Sequence, residues 1–314
     1  MTLVDWHGYP AVQLENNQVQ VVIVPELGAK IASLVDKTAD HEWLAPPTHP
    51  VRPRVYGDPF TEHDLAGWDE MFPTIDPCPS PHDPAVMLPD HGEVWAQPWQ
   101  GLDPKDTLHL SVVGKALPYH LKRSAWLEGT TLVLSYHAEN LSAAPMPYLW
   151  AAHPLAAVDA HTQIVLPDAV HEVIQVLDNH DIWGAAGTRY TWPNATTADG
   201  RVWDLRAVGE ATLHDCRKFY IPPESSIDWA MLRQRDTGAF LRLSWDKNAL
   251  PYLGIWIDEG TYSRFSTIAL EPTNGYFDAL DRAYTAGRCA VLPPHGSAYW
   301  ELQLTVGRGA EASP

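Results

Sequence analysis

The chain has 314 residues, of which 45% are hydrophobic, and its 39 acidic against 21 basic residues give a formal net charge of −18. Such length and apolar content supply a substantial core and exclude a disordered chain, while the acidic balance and scattered Lys and Arg argue against nucleic acid and anionic membrane surfaces as partners. Three distant cysteines, Cys78, Cys216 and Cys289, have no CxxC spacing and exclude both a disulfide framework and a thiolate zinc site.

No window approaches the roughly 18 consecutive apolar residues of a membrane helix, and Met1–His7 lacks a basic stretch leading into an apolar one. The expected setting is the cytoplasm. The 28 prolines point to strands joined by shaped loops, and the 14 tryptophans suit carbohydrate stacking as well as core packing.

The first elements read as a hairpin, Ala11–Leu14 and Val19–Val24 around a turn at Glu15–Asn17, followed by a strand from Gly28 to Val35. Residues 45 to 106 lose periodicity and are rich in Pro, Asp and His; a loop region this long inside a compact chain is usually functional. Period-two alternation returns at Leu108–Val113, Tyr119–Arg123 and Thr131–Ala138. Further strands are expected at Gln163–Leu166, His171–Val176, Lys218–Ile221, Phe240–Trp245, Leu253–Ile257, Thr267–Glu271 and Ala298–Leu304, with a brief helix within Tyr276–Thr285. The expected fold is all-β, a large antiparallel sandwich with few short helices, in a single domain over residues 1–314.

Four segments carry candidate chemistry: Gly67–Asp76, Pro89–Trp95, Tyr148–Leu155 and Ile268–Thr273. In the last two, His153 and Glu271 each close an apolar run directly before a proline. One group of near-neutral pKa and one acid are the partners a proton-transfer reaction needs. With the strand at Gly28–Leu34 and the His91-Gly92 pair, these segments resemble the aldose 1-epimerase (galactose mutarotase-like) family in a divergent form, over residues 10 to 306.

That resemblance implies a large β-sandwich with a sugar in a cleft on one face, and an isomerase that interconverts the α and β anomers of a hexose or related sugar without a cofactor or metal. Carried over, Glu271 is the base toward the C1 hydroxyl, His153 is the acid toward the ring oxygen, and His91 bonds the ring or a neighbouring hydroxyl. The sequence departs from the family pattern in having no Asn-Arg pair before His91; Arg52 and Arg54 stand in a different setting. Trp68, Asp69 and Glu70 are expected to take over part of the recognition, with Trp150, Trp256 and Asp258 as further sugar contacts. Two alternatives remain open: a non-catalytic carbohydrate-binding or regulatory protein on the same fold, and a hexose-6-phosphate 1-epimerase using Arg217, Lys218 and Arg264.

Overall fold

Residues 1–102, 106–177 and 182–309 are described in a computed structural model. Alternating side chains build two large antiparallel sheets. The larger runs in the order Thr2–Trp6, Tyr9–Glu15, Val19–Val24, Lys30–Asp36, Trp68–Met71, Ala151–Pro154, Ser266–Thr273, Tyr252–Glu259, Asp215–Tyr220, Glu172–Gln175 and Arg189–Thr191. The second runs Thr162–Val165, Trp229–Gln234, Ala239–Trp245, Ser297–Arg308, Thr131–Asn140, Tyr119–Glu128, Leu108–Val113 and Gln100–Leu102. Among the described residues the one α-helix is Leu280–Thr285.

Burial follows position in the sandwich. Tyr119–Glu128 and Ser297–Arg308 alternate between buried and more accessible residues, as strands with one face on the core and one toward water must. Ser266–Thr273 is buried at every position. Its Ile268 and Leu270 enter the main core with Trp68, Trp150, Tyr136 and Trp300, so Thr267, Ala269 and Glu271 face the other way.

That outer face is covered by the aperiodic stretch that follows residue 45. Ala45, Phe60, Leu65, Trp95 and Ala96 pack on Leu155 and Ala269, while Ile75, Cys78 and Leu88 pack on Met71, Ala151 and Leu280. The long loop is therefore a folded layer, and between its two apolar clusters the sheet remains accessible.

Several elements differ from the sequence reading, including short strands such as Thr2–Trp6, Gln100–Leu102 and Arg189–Thr191. Trp229–Gln234 is a strand whose Trp-Ala-Met-Leu run shows no clean alternation. Trp68–Met71 is a central strand, concealed in sequence by two carboxylates that are buried and paired with cations. The helix starts at Leu280 because Tyr276–Asp278 is held otherwise: the Tyr276 N–H donates to the Arg288 carbonyl, and the Asp278 carbonyl accepts from Ile75 and Asp76.

Candidate active site

Four adjacent strands set residues in rows across the outer face. Ala151 pairs with Thr273, and Ala156 with Ile268, a common register that sets His153 beside Glu271. Glu271 pairs in turn with Gly254, and Gly254 with Tyr220. The next row aligns Ala269, Trp256 and Lys218. These rows floor a cleft on the outer face of the sheet. Phe60, Leu65, Ile75, His91, Tyr262 and Asp278 are among the residues that wall it.

His153 Nε2 stands 3.7 Å from Glu271 Oε1. The separation exceeds a hydrogen bond, leaving both atoms able to reach a common third group. Both side chains are buried, and His153 Nδ1 has no hydrogen-bond partner among the described residues. Burial, reinforced by the positive charges of His91, Lys218 and Lys30, holds the His153 pKa well below its ordinary value. Burial raises Glu271, against the lowering influence of Lys218. Burial thus disfavours the charged form of both residues, the imidazolium of His153 and the carboxylate of Glu271.

His91 is mounted from the loop layer. It occupies the left-handed region at φ 56°, a conformation that costs a non-glycine residue about 1–2 kcal/mol. Its N–H donates to the Ile75 carbonyl at 2.6 Å, and its Nδ1 lies 2.8 Å from Asp90 Oδ1. Gly92 follows at φ 71°, where a Cβ would collide with the Phe72 carbonyl, so the turn requires glycine. The imidazole stacks on Phe60 at 4.1 Å and meets His153 edge-on at 5.1 Å, which fixes both rings in the wall.

Two site residues escaped the sequence reading or were read for another purpose. Lys218 reaches over Gly254 to pair with Glu271 Oε2 at 2.7 Å and Asp278 Oδ1 at 2.9 Å. Tyr220 donates its hydroxyl to the same Asp278 oxygen at 2.7 Å. Burial opposes the Lys218 charge, but Asp278 and Glu271 hold the ammonium above its ordinary pKa. A signal was available for Lys218: adjacent cations, Arg217 and Lys218, in mid-strand must point to opposite faces. Arg217 enters the interior, paired with Glu259 and Asp215. Asp278 gave no such signal, because it stood within the expected helix.

Of the expected sugar contacts, His91, Trp256 and Asp258 line the cleft with His153 and Glu271. The Asp258 carboxylate is largely committed, accepting from the backbone N–H groups of Thr261, Tyr262 and Ser263. Trp68, Asp69, Glu70 and Trp150 stand outside the cleft, and their assignment as sugar contacts is corrected. Trp68 and Trp150 are fully buried in the main core. Glu70 accepts from Arg123 at 2.7 Å, the Tyr136 hydroxyl at 2.7 Å and Trp150 Nε1 at 3.0 Å, all inside the sandwich. Asp69 points to the outer face but beneath the loop layer, where Lys30 pairs with it at 2.6 Å and Arg54 lies at 3.5 Å. Each of these carboxylates is already occupied by cations from distant segments.

No family model matches the chain, and no curated protein is significantly similar to it. Solved structures do share its architecture. The Slr1438 protein from Synechocystis sp. PCC 6803 superposes with a TM-score of 0.72 at 16% identity, covering 98% of this chain and 100% of that one. A galactose mutarotase related enzyme from Lactobacillus acidophilus gives 0.67 at 16% identity over 95% and 97% of the two chains. A galactose mutarotase-like protein from Clostridium acetobutylicum gives 0.65 at 12% identity over 98% of each. At such identities the likeness is one of fold, and the fold is the galactose mutarotase-like β-sandwich.

Proposed function

We propose that this protein is an isomerase of the aldose 1-epimerase kind, opening and reclosing the ring of a sugar bound in the cleft. Glu271 removes the proton from the C1 hydroxyl while the bond from C1 to the ring oxygen breaks and the C1 carbonyl forms. His153, as imidazolium, delivers a proton to the departing ring oxygen. Rotation about C1–C2 in the open aldehyde presents the other carbonyl face, and the reverse transfers close the ring as the opposite anomer. Each positioned acid or base contributes roughly 10²–10⁴-fold.

The observation that carries this reading is the 3.7 Å gap between His153 Nε2 and Glu271 Oε1, both facing the cleft from neighbouring strands. The reaction works on two oxygens bonded to one carbon, so its acid and its base must converge on one point. His91 beside them can donate to or accept from a sugar hydroxyl, and Trp256 offers an apolar face for ring stacking.

The hexose-phosphate alternative draws less support. Its three cations are dispersed: Arg217 lies inside the sandwich, Lys218 is matched by two carboxylates, and the Arg264 guanidinium reaches out to the Pro47 carbonyl. These three cations do not converge as a phosphate needs. The deciding experiment is anomer exchange of freshly dissolved α-glucose and α-galactose, followed by polarimetry or saturation-transfer NMR. Acceleration by the protein is the expected result. Sugar binding with no faster exchange would transfer the case to a carbohydrate-binding protein.

A further inference from the structure

We propose that Lys218, its ammonium clamped between Glu271 and Asp278, is a positioning residue that keeps the Glu271 carboxylate in its base form and in a single orientation. The proposal rests on the reading of the cleft given above and deepens it.

The geometry is specific. Lys218 lies opposite Trp256, one row away from Glu271, and reaches Glu271 only by passing over Gly254. A Cβ on Gly254 would lie 3.4 Å from Lys218 Cε and 3.0 Å from Glu271 Oε2, so the missing side chain is the passage through which the pair forms. The Nζ meets Glu271 on one side and Asp278 on the other, and Asp278 is itself fixed by the Tyr220 hydroxyl. Only Glu271 Oε2 is engaged by the lysine; Oε1 is the oxygen turned toward His153.

The groups facing Glu271 make this clamp necessary. From its neighbouring strand comes His153, whose charged form burial disfavours; from the lysine strand, Lys218 and Tyr220; from the segment before the helix, Asp278; and from the loop layer, His91 and Asp76. Burial and the Asp278 charge both favour a protonated Glu271, and a protonated carboxyl cannot take the proton of the C1 hydroxyl. Lys218 is the opposite charge in direct contact, and contacts of this type lower a carboxylate pKa by about 1–3 units. A buried lysine is tolerable only when so paired, which its two carboxylate partners provide.

The test is the pH profile of anomer exchange in Lys218→Met, read with a ¹³C titration of the Glu271 side-chain carboxyl, assigned by loss of its signal in Glu271→Gln. The expected result is that both the acidic limb of kcat/KM and the carboxyl titration move upward by about 1–3 pH units, with KM changed less than about threefold and partial rescue by added butylamine. Asp278→Asn serves as the second variant and moves both readouts in the opposite direction. An unmoved acidic limb with an unmoved titration overturns the proposal. So does a rise in KM with both pH readouts in place, because Lys218 would then be a sugar contact. If the wild-type protein fails to exchange anomers, the proposed function falls, while the carboxyl titration still decides the role of Lys218.

Discussion

Buried carboxylates in this chain differ only in what stands beside them. Glu70 is enclosed by three donors inside the sandwich, Asp69 by two cations under the loop layer, and Glu271 keeps an oxygen facing His153 in the cleft. From the proposed chemistry, His153→Asn and Glu271→Gln each lower kcat by about 10²–10⁴-fold while sugar affinity holds. The working form needs ionised Glu271 together with protonated His153. Burial raises the Glu271 pKa and lowers that of His153, disfavouring the working form at both groups, and the rate follows a bell-shaped pH profile. A rate that climbs steadily to pH 8 would refute the assignment of His153 as acid. The tryptophans separate in the same manner. Trp256→Ala weakens sugar affinity with little loss of stability, whereas Trp68→Ala costs about 3–5 kcal/mol in urea unfolding and leaves the affinity of the folded fraction intact.

At the level of elements, the central strands do two jobs by alternation. In Ser266–Thr273, Ile268 and Leu270 serve the core while Glu271 serves the cleft; in Asp215–Tyr220, Phe219 serves the core while Lys218 and Tyr220 serve the cleft. A one-residue slip in either strand would bury the charge in the sandwich and expose the apolar side chain, so the register of the core also fixes the site. Gly254 connects the two strands. Its φ is not in the left-handed region, so alanine brings no backbone strain, but the new Cβ would press on Glu271 and Lys218. Gly254→Ala should therefore lower kcat by up to about 10²-fold, as misplacement by roughly 1 Å can, with thermal unfolding nearly unchanged. Equal activity in that variant would mean that the carboxylate tolerates displacement.

For the molecule as a whole, placing an unpaired imidazole in the cleft carries a stability cost that depends on pH. The native His153 pKa lies well below the ordinary 6.5, so the folded protein binds fewer protons than the unfolded chain between those values. This contribution is neutral above about pH 6.5, and stability is lost as pH falls toward the native pKa, by up to about 1.4 kcal/mol per pH unit. His153→Gln abolishes that component. Urea midpoints compared between roughly pH 6.5 and 5.5 should fall less in the variant than in the wild type; parallel declines would show that His153 does not carry the acid sensitivity. The same comparison links the cleft to the fold, since the group that suffers from burial is the one proposed to work there.

The order of strands along the chain was largely legible because period-two alternation and turn residues are local. Leu108–Val113 begins and ends where its pattern does, and the hairpin around Glu15–Asn17 follows from its own residues. His153 and Glu271 could also be singled out, since a polar residue closing an apolar run before proline is visible without a partner. Tertiary structure alone decided which charges remain free for chemistry. Arg123 lies 53 positions from Glu70, and Lys30 lies 39 from Asp69, so nothing near Trp68-Asp69-Glu70 shows that its carboxylates are already matched. The same separation concealed Lys218 from Glu271 until sheet order laid their strands on either side of Gly254. Burial and charge pairing are properties of neighbours in space, and they determine which carboxylates are structural and which face an open cleft.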